Sequence, residues 1–583
     1  MSTPRKIKVF DNNEAESIIT QRNDIAADTS IKNIFGIDLG TTNSAISIVK
    51  GGKSQIITLS NGKNTIPSCV MWTNGEFIIG DEAYKNKGLP NVQYSVKRLM
   101  EDAFAKVTFK DGDNQIEMTP TEVSAEILKG IVRAAGDMYG IIHDVVVTVP
   151  AYFNDIGKRN TMKACELAGL NLIALENEPS AAALEYELPA NKMSEDVLIY
   201  DLGGGTFDIT LARITKMQPA EDAFVAYGFD NASVGKASKI IRPLALGGNG
   251  KLGGDDIDNE LFNIVMHKLG IRPENVPERA TKEFTAKLEQ FKKCGVESAY
   301  STDFNYTLLD GTEVNADAII TPDDFVASVE PIYKKTKREI NRVLKETANT
   351  ASKILLVGGS TKNPIIREKL RNDYSSFEIS ATLHPDEVVS LGAATKGRIL
   401  KYGDASIASF DILPITIGIL DGSDNIVPVI KKNTELPVSA SSPFTTEQDN
   451  QTSMRVVIYQ GNSTFREDCV CLGELMITGI PKKKAGEPRL YVNLTITANN
   501  VLICEAVVEG IKKTLQLSLN NEETAQKEHV MTREEKCLVR WRNLAKKLDG
   551  SKKDEFMNLL DGYPSTISAD TIRDYIKTNL SER

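Results

Sequence analysis

The sequence predicts an α/β region with a duplicated turn, followed by an all-β sandwich and a short helical segment. Strand-like and helix-like stretches alternate from Ile34 to about Tyr402, which is the pattern of an α/β fold. After residue 410 the hydrophobic period changes to two, as in short strands split by turns. The tripeptide Asp-Leu-Gly ends a buried strand twice, at Asp38 and again at Asp201.

Composition sets the broad class of the protein. The 583 residues are 41% hydrophobic and 25% charged, as in globular proteins, and are enough for about three or four domains. The net charge of −10 argues against a nucleic-acid-binding surface. No apolar run approaches the length of a membrane span, so we expect no membrane association. Seven scattered cysteines without a Cys-x-x-Cys pair fit a reducing compartment, and we expect a cytoplasmic location.

The N-terminal residues 1–32 are polar and mixed in charge. They contain no apolar core of a secretory signal and too many acidic residues for a transit peptide. We expect them to form a disordered arm.

The first turn, Asp38-Leu39-Gly40-Thr41-Thr42-Asn43, lies between an apolar run and its return strand, so the sequence predicts a β-hairpin. Glycine allows a ligand to approach the backbone closely, and successive turn N–H groups form an anion-binding nest. An ordinary hairpin turn that happens to contain Asp and Gly explains this motif equally well when it is taken alone.

The second turn, Asp201-Leu202-Gly203-Gly204-Gly205-Thr206-Phe207-Asp208, repeats the first. Two such hairpins would close on one polyphosphate from two sides, with the Asp pair holding its Mg²⁺. A third Gly-rich turn, Gly358-Gly359-Ser360-Thr361-Lys362, also ends a buried strand. Three such elements in one chain argue against coincidence.

Other stretches connect these turns. We expect a helix from Thr121 to about Tyr139, a buried strand over 145–149, and a long irregular segment over about 213–250. A helix over 281–293 places Glu289, Lys292 and Lys293 on one face, where a solvated ion-pair stripe is the alternative explanation.

The C-terminal part begins with a predicted linker over 403–410. The β-sandwich then spans 411–520, and 521–583 is helical, with a capping box at Thr532 and Glu535. The apolar residues of this helical segment form a stripe, which we expect to pack on the protein itself. The predicted strands are Ile415–Ile419, Val427–Val429, Arg455–Tyr459, Leu490–Ile496 and Leu515–Leu519.

These motifs, taken in order over about residues 33–520, resemble the heat shock protein 70 family of molecular chaperones. Besides the three turns, the resemblance includes Val147–Asp155, Asn177-Glu178-Pro179 and Leu252–Asp256, and in the β region Asn433–Pro437 and Leu472–Leu475. Several independent motifs in the family's order are a specific signal, whereas each alone is weak.

The resemblance implies an actin-like (ribonuclease H-like) two-lobed ATPase domain over 33–402, a peptide-binding β-sandwich over 411–520 and a short helical lid over 521–583. It implies an ATP-dependent chaperone that binds extended hydrophobic segments of unfolded proteins. ATP or ADP, Mg²⁺ and K⁺ are the implied cofactors, and a J-domain protein and a nucleotide exchange factor are the implied partners.

By the same resemblance, Lys97 lies beside the γ-phosphate and the attacking water, assisted by Glu178 and Asp208, and Asp38 and Asp201 hold Mg²⁺ partly through water. Thr206 joins this catalytic group. The residues expected to bind the nucleotide are Gly40, Thr41, Thr42, Asn43, Gly203, Gly204, Gly205, Gly254, Asp255, Glu289, Lys292, Lys293, Gly358, Gly359, Ser360, Lys362 and Asp386.

The resemblance also assigns the peptide pocket. Ile419, Phe444, Met454 and Val456 are expected to line it, although plain sandwich core is the alternative explanation of these residues. Glu447 is expected to arch over the peptide, where the family has a small apolar or aromatic residue.

The chain departs from the family at positions that bear on co-chaperones and interdomain coupling. Lys362 and Ala174 stand where the family has Arg, and the linker lacks the usual leucine run. Two alternatives therefore stay open: a nucleotide-binding co-chaperone or holdase with weak ATPase coupling, and a sugar kinase on the same fold. The β module disfavours the kinase.

Overall fold

The protein is described by a computed structural model that covers residues 33–136, 142–216, 239–294, 298–348, 351–381, 384–402, 407–421, 425–497, 502–508, 511–514, 541, 551–561, 572 and 575. The expected N-terminal arm over 1–32, the strand predicted over 515–519 and the capping box at Thr532 lie outside these residues.

The first lobe is formed by the chain from residue 33 to residue 185, which alternates between strands and helices. Its elements are β1 (Ile34–Asp38), β2 (Asn43–Lys50), β3 (Lys53–Ile56), β4 (Ile66–Pro67), β5 (Cys69–Thr73), β6 (Glu76–Ile79), α1 (Asp81–Lys85), β7 (Val92–Tyr94), a 3-10 turn (Val96–Leu99), β8 (Val107–Asp111), β9 (Asn114–Met118), α2 (Pro120–Ala135), β10 (Asp144–Val149), α3 (Asp155–Leu167), β11 (Asn171–Asn177) and α4 (Glu178–Glu185).

A six-stranded sheet forms the centre of this lobe. Its order is β11-β10-β1-β2-β3, with β4 paired to β2; β11, β10 and β1 are parallel, and β1 and β2 form the predicted hairpin. Helix α2 begins one residue earlier than expected because Thr119 and Glu122 form a capping box around Pro120. Its apolar face packs on the sheet in a core that includes Phe35, Ile37 and Leu128.

The second lobe is formed by residues 194–381. The elements from there to residue 409 are β12 (Ser194–Leu202), β13 (Phe207–Lys216), β14 (Lys239–Asn249), α5 (Gly254–Lys268), a 3-10 turn (Pro273–Asn275), α6 (Glu278–Cys294), β15 (Tyr300–Thr307), β16 (Glu313–Ile320), α7 (Pro322–Glu346), β17 (Lys353–Val357), a 3-10 turn (Gly359–Lys362), α8 (Pro364–Asp373), β18 (Glu378–Ser380), α9 (Val388–Tyr402) and β19 (Ile407–Ser409).

The sheet of the second lobe repeats the first. Its order is β18-β17-β12-β13-β14-β19, again with two parallel strands beside an antiparallel hairpin and its neighbour. The duplication predicted for the two turns therefore extends to the whole sheet. Because strands β1 and β12 occupy equivalent places, their turns project from equivalent edges.

The expectation of an irregular segment over 213–250 is wrong at both ends. Residues 213–216 complete β13, and residues 239–249 form β14, which pairs with β13 along its length. A register shift between Leu211 and Ala212 leaves Leu244 without a paired residue in β13. This bulge interrupts the alternation of inward and outward side chains around Pro243, so the sequence pattern did not indicate a strand. Residues 217–238 lie outside the described part of the chain.

Helix α9 returns to the first lobe and packs across its sheet. A β-carbon placed on Gly36 of β1 would lie 2.1 Å from the backbone nitrogen of Ala394, so the helix lies directly on the strand. Ser47 and Ser390 share a buried hydrogen bond of 2.7 Å across this contact. The helix thereby ties the end of the α/β region back to its beginning.

The β-sandwich has two four-stranded sheets, β22-β21-β25-β26 and β24-β27-β28-β29. Its elements are β20 (Asp411–Ile412), β21 (Ile417–Leu420), β22 (Ile426–Ile430), β23 (Glu435–Leu436), β24 (Val438–Phe444), β25 (Ser453–Gln460), a 3-10 turn (Arg466–Asp468), β26 (Val470–Thr478), β27 (Leu490–Ile496), β28 (Leu502–Val508) and β29 (Ile511–Thr514). The strand predicted over Leu490–Ile496 is confirmed in full.

The C-terminal segment includes helix α10 (Ser551–Asp561). Phe556, Leu560, Trp541 and Ile572 are buried, as expected for a stripe that packs on its own protein. No helix within the described residues is both long and apolar enough to cross a membrane.

The sandwich is docked on the two lobes. The amide oxygen of Gln460 accepts a hydrogen bond from the backbone of Asp155 at 3.0 Å, and Asn177 donates to both oxygens of Asp411 at 2.7 Å. Lys432 and Glu346 form an ion pair at 2.5 Å. Hydrogen bonds and charges therefore connect the sandwich to both lobes, and one of these contacts is at Asn177, directly before Glu178 of α4.

Candidate active site

The two duplicated turns face each other across a cleft of about 550 Å³ between the lobes. A β-carbon placed on Gly204 would lie 1.7 Å from Oγ1 of Thr42, so the turns touch and leave no room there for a side chain. The predicted site residues that line the cleft are Asp38, Gly40, Thr41, Thr42, Asn43, Glu178, Asp201, Gly203, Gly204, Thr206, Gly254, Asp255, Glu289, Lys292, Lys293, Gly358, Gly359, Ser360, Lys362 and Asp386.

Lys97, Asp208 and Gly205 lie behind this lining. Lys97 donates from Nζ to Oε1 of Glu178 at 2.5 Å and to the carbonyl of Leu39 at 2.6 Å. The side chains of Lys97 and Glu178 are 7% and 9% exposed, so the pair is largely withdrawn from water. A buried lysine held between a carboxylate and the first turn is fixed in position rather than free at the surface.

Buried carboxylates surround this lysine. Oδ1 of Asp38 accepts a hydrogen bond from Thr148 at 2.9 Å, and Oδ1 of Asp208 accepts one from the backbone of Tyr152 at 3.2 Å. Burial, followed by the charge of Glu178, raises the pKa of Asp38 to about 7. The same two causes raise the pKa of Asp201 and of Asp208 well above the usual range of a carboxyl.

The donor set suits a hydrated divalent cation. Asp38 and Asp201 reach the cleft from opposite lobes, and a cation between them would offset the burial and the nearby negative charge that raise their pKa values. Among the described residues, no three His, Cys, Asp or Glu side chains are grouped closely enough to enclose a metal. Two carboxylates that face the cleft from opposite lobes fit Mg²⁺, which keeps several of its waters and takes one or two carboxylates.

Hydroxyl groups on the first turn are oriented for an anion. Oγ1 of Thr41 and Oγ1 of Thr42 are buried and have no hydrogen-bond partner among the residues that the structure describes. Buried donors without partners are costly, and a phosphate oxygen is an acceptor that would satisfy them. This observation supports a polyphosphate between the turns.

The second turn is held by hydrogen bonds to its carbonyl groups. The carbonyl of Gly203 accepts from Gly254 at 3.0 Å and from Ser360 at 2.8 Å, and that of Gly204 accepts from Asp255 at 2.7 Å. The carbonyl of Gly205 accepts from Nε of Arg98 at 2.8 Å. The amide groups of the turn are thus kept in a fixed orientation.

Glu289 forms the outer part of the cleft with two lysines. Its Oε2 pairs with Lys87 at 2.5 Å and its Oε1 with Lys293 at 2.7 Å, while Lys87 lies 4.2 Å from the ring centre of Tyr94. Burial alone would raise the pKa of Glu289, but Lys87 and Lys293 outweigh it and lower the pKa to about 2. Lys87 comes from the first lobe, and no sequence motif pointed to it.

Two further lysines that are expected to contact the nucleoside are also ion-paired. Lys292 contacts Asp258 at 2.7 Å and the carbonyl of Gly254 at 2.9 Å, and Lys362 pairs with Asp386. Sequence reasoning missed five further lining residues: Ile257, Asn363, Pro364, Pro385 and Val389. Asn363 and Pro364 directly follow the third Gly-rich turn, and extending that motif would have found them.

The five predicted peptide residues lie in the sandwich. Ile419 and Val456 are buried, and Met454 and Phe444 pack partly buried against the same core. Glu447 is exposed on the loop after β24. That loop is joined to residues 481–487 by hydrogen bonds, including one of 2.8 Å from the backbone of Asn450 to the carbonyl of Lys483. Sequence reasoning missed Lys482, Lys483 and Lys484 beside this loop.

A duplicated two-lobed fold with a cleft of turn amides, hydroxyls, one buried lysine and paired carboxylates defines the class: a nucleotide-hydrolysing protein, here joined to a β-sandwich. Comparison with known proteins agrees. The sequence model of the family described as Hsp70 protein matches residues 34–218 and 237–566. The chain is 34% identical over 503 residues to the Chaperone protein DnaK of Mycoplasmoides gallisepticum (strain R(low / passage 15 / clone 2)), which covers 84% of this chain and 81% of that protein.

The chain therefore belongs to the Hsp70 family, and the resemblance stated from its motifs is confirmed. It is an ATP-dependent molecular chaperone and an ATPase. Neither comparison favours the co-chaperone or holdase alternative. The family match breaks between residues 218 and 237, within the stretch over about 213–250 that the sequence analysis expected to be long and irregular.

Proposed function

We propose that the chain hydrolyses Mg²⁺–ATP in the cleft between its two turns and uses the cycle to control peptide binding by the β-sandwich. The observation that carries this proposal is the pair of facing turns, with Asp38 and Asp201 on opposite walls and Lys97 buried behind them in an ion pair with Glu178. Phosphoryl transfer depends mainly on positioning and charge neutralisation, and this cleft supplies both.

Each group has a proposed role that follows from its place. The turn amides and the hydroxyls of Thr41, Thr42 and Thr206 bind phosphate oxygens. Lys97 neutralises charge on the transferring phosphate, and Glu178 fixes the lysine through their ion pair. Asp208 orients the attacking water and takes up its proton. Mg²⁺, when held by Asp38 and Asp201 partly through water, would supply positive charge beside the phosphates. K⁺ is also proposed as a cofactor.

The nucleoside is proposed to lie at the outer part of the cleft. The charged residues of that part are Asp255, Glu289, Lys292, Lys293, Lys362 and Asp386, and Gly254, Gly358, Gly359 and Ser360 complete its wall. Lys362 lacks the planar guanidinium that stacks on a base, so we propose looser selectivity for adenine than in the family.

The domain assignment is part of the proposal. It comprises an ATPase domain over 33–402, a linker over 403–410, a peptide-binding sandwich over 411–520 and a helical lid over 521–583. Within the linker, β19 pairs with β14 at the edge of the second sheet. Together with the contacts of Gln460, Asn177 and Glu346, this pairing is the proposed route by which the lobes and the sandwich influence each other.

The proposed ligand of the sandwich is an extended apolar segment of an unfolded polypeptide. Ile419, Phe444, Met454 and Val456 would form one pocket, and backbone groups would bind the peptide as a strand. Glu447 would arch over it, and its charge would be partly offset by the lysines of the neighbouring loop. A J-domain protein, a nucleotide exchange factor and a cytoplasmic location complete the proposal.

Single-turnover hydrolysis of ATP by the full chain tests the assignment of the cleft. Lys97→Met and Asp201→Asn should bind ATP but lose at least about a hundredfold in rate, because the first removes the positive charge beside the reacting phosphate and the second removes a carboxylate that would hold Mg²⁺. Lys106→Met is the matched control, since Lys106 is an exposed lysine of the same lobe. Near-normal turnover in both cleft variants would rule out the proposed site.

A further inference from the structure

Arg98 crosses from the first lobe to the second, next to the lysine of the cleft. It lies on the same 3-10 turn as Lys97. Its Nε donates to the carbonyl of Gly205, and its terminal nitrogen pairs with Asp256. Arg98 is 19% exposed at its side chain, so both contacts are partly shielded from water. One side chain of the first lobe therefore holds both the second turn and the start of α5.

The contact with Gly205 differs in origin from the others that hold this turn. The carbonyls of Gly203 and Gly204 accept from residues of the second lobe itself, namely Gly254, Ser360 and Asp255. Only the carbonyl of Gly205 has its described donor on the opposite lobe. The orientation of the Gly205 carbonyl consequently depends on contact between the two lobes, whereas the orientation of the Gly203 and Gly204 carbonyls does not.

A held carbonyl fixes the amide on the far side of the same peptide bond. In a planar trans peptide, the C=O of one residue and the N–H of the next point in opposite directions. The carbonyl of Gly205 therefore sets the direction of the N–H of Thr206. Because Thr206 lines the cleft and Gly205 does not, that N–H belongs to the phosphate-facing side of the turn.

We propose that Arg98 is a positioning residue for ATP hydrolysis: through Gly205 it turns the amide of Thr206 toward the phosphates, and does so only when the lobes are closed. This inference rests on the proposed placement of the polyphosphate between the turns. Since Arg98 and Lys97 share one turn, closure brings the lysine and the oriented amide into place together. Lobe closure is thereby coupled to the rate of the chemical step.

Arg98→Lys is the conservative variant that tests this role. Lysine keeps a positive charge for Asp256, but its single amine cannot also supply the second donor to Gly205 in the geometry of a guanidinium. We expect the single-turnover rate at saturating ATP to fall about tenfold, because one oriented donor is lost from the reacting phosphate. The peptide covering residues 203–208 should also exchange its amide hydrogens faster in the ADP-bound protein.

Ser95→Gly is the matched control for lobe contact alone. Oγ of Ser95 donates to Asp255 at 2.6 Å, which is a second contact between the same two elements that does not touch Gly205. Ser95 has a φ of 53°, a conformation that glycine accepts, so the substitution adds no strain. This variant should release ADP about threefold faster and keep its single-turnover rate within about twofold.

The outcomes separate the two proposals. An unchanged rate in Arg98→Lys, or the same pattern in Arg98→Lys and Ser95→Gly, would overturn the positioning role, provided that both variants melt like the native protein. Lys97→Met, measured alongside, reports on the site itself. If Lys97→Met also turns over normally, the assignment of the cleft fails; if only Arg98→Lys does, the inference about Arg98 fails alone.

Discussion

A methyl group on Gly204 should uncouple the two turns without removing any functional atom. Its β-carbon would lie 1.7 Å from Oγ1 of Thr42, while ordinary van der Waals contact begins at 3.4 Å, so these two atoms would be about 1.7 Å too close. Rotation of the Thr42 side chain would move Oγ1 away, but its Cβ would still lie 2.9 Å from the new methyl, about 0.5 Å inside ordinary contact, so the turns must separate by at least about that distance. Gly204→Ala must therefore push the lobes apart at the phosphates.

The expected loss follows from this displacement. A misplacement of about 1 Å in a phosphate-transfer site costs on the order of a hundredfold in rate, or about 2.7 kcal/mol in activation free energy. We expect Gly204→Ala to lose about that much in single-turnover hydrolysis of ATP and to bind ATP more weakly. Its own backbone is not strained, since φ at Gly204 is outside the left-handed region.

Gly203→Ala is the matched control in the same turn. A β-carbon there would meet its nearest neighbours, the carbonyl and hydroxyl oxygens of Thr206, at 3.6 and 3.7 Å, which is ordinary contact. Its loss should be several-fold at most. Equal losses in the two variants would show that the turn tolerates no side chain for reasons unrelated to Thr42. The clash between residue 204 and Thr42 would then not be the cause of the loss.

Two further predictions concern stability and the peptide pocket. Because Lys87 and Lys293 lower the pKa of Glu289 to about 2 from 4.5, its stabilising effect is complete above its unfolded pKa and is lost as pH falls from about 4.5 toward 2. Glu289→Gln should flatten the fall in melting temperature between about pH 5 and about pH 3, and parallel curves would contradict this. Met454→Phe should weaken binding of a labelled apolar heptapeptide more than about tenfold by filling the pocket. Met476→Phe, at a side chain 54% exposed on β26, should leave that binding unchanged; equal effects would place the pocket elsewhere.

The parts of the fold that sequence predicted are those with a local signal. Both hairpins follow buried β-branched runs, and Asp-Leu-Gly marks their turns directly. Helix α6 was predicted over 281–293 and extends from Glu278 to Cys294, since the apolar period reports the centre of a helix better than its ends. The family followed from the order of several motifs, and the comparisons confirm it.

The parts that sequence did not predict depend on contacts between distant segments. Strand β14 was hidden by a bulge, and it becomes visible only through its pairing with β13. Lys87 and Arg98 carry no periodic or motif signal, because their partners Glu289 and Asp256 are 202 and 158 residues away in the chain. Packing of the two lobes is what turns such surface-type cations into parts of the site.

ATP hydrolysis in the cleft is proposed to be coupled to peptide binding in the sandwich. This coupling is tested most directly by single-turnover hydrolysis of ATP by the full chain, with and without a saturating apolar heptapeptide whose binding is followed by fluorescence anisotropy. We expect the peptide to accelerate hydrolysis in the native protein, and we expect Met454→Phe to abolish the acceleration while keeping the basal rate. Binding of the peptide with no change in the rate of the native protein would contradict it.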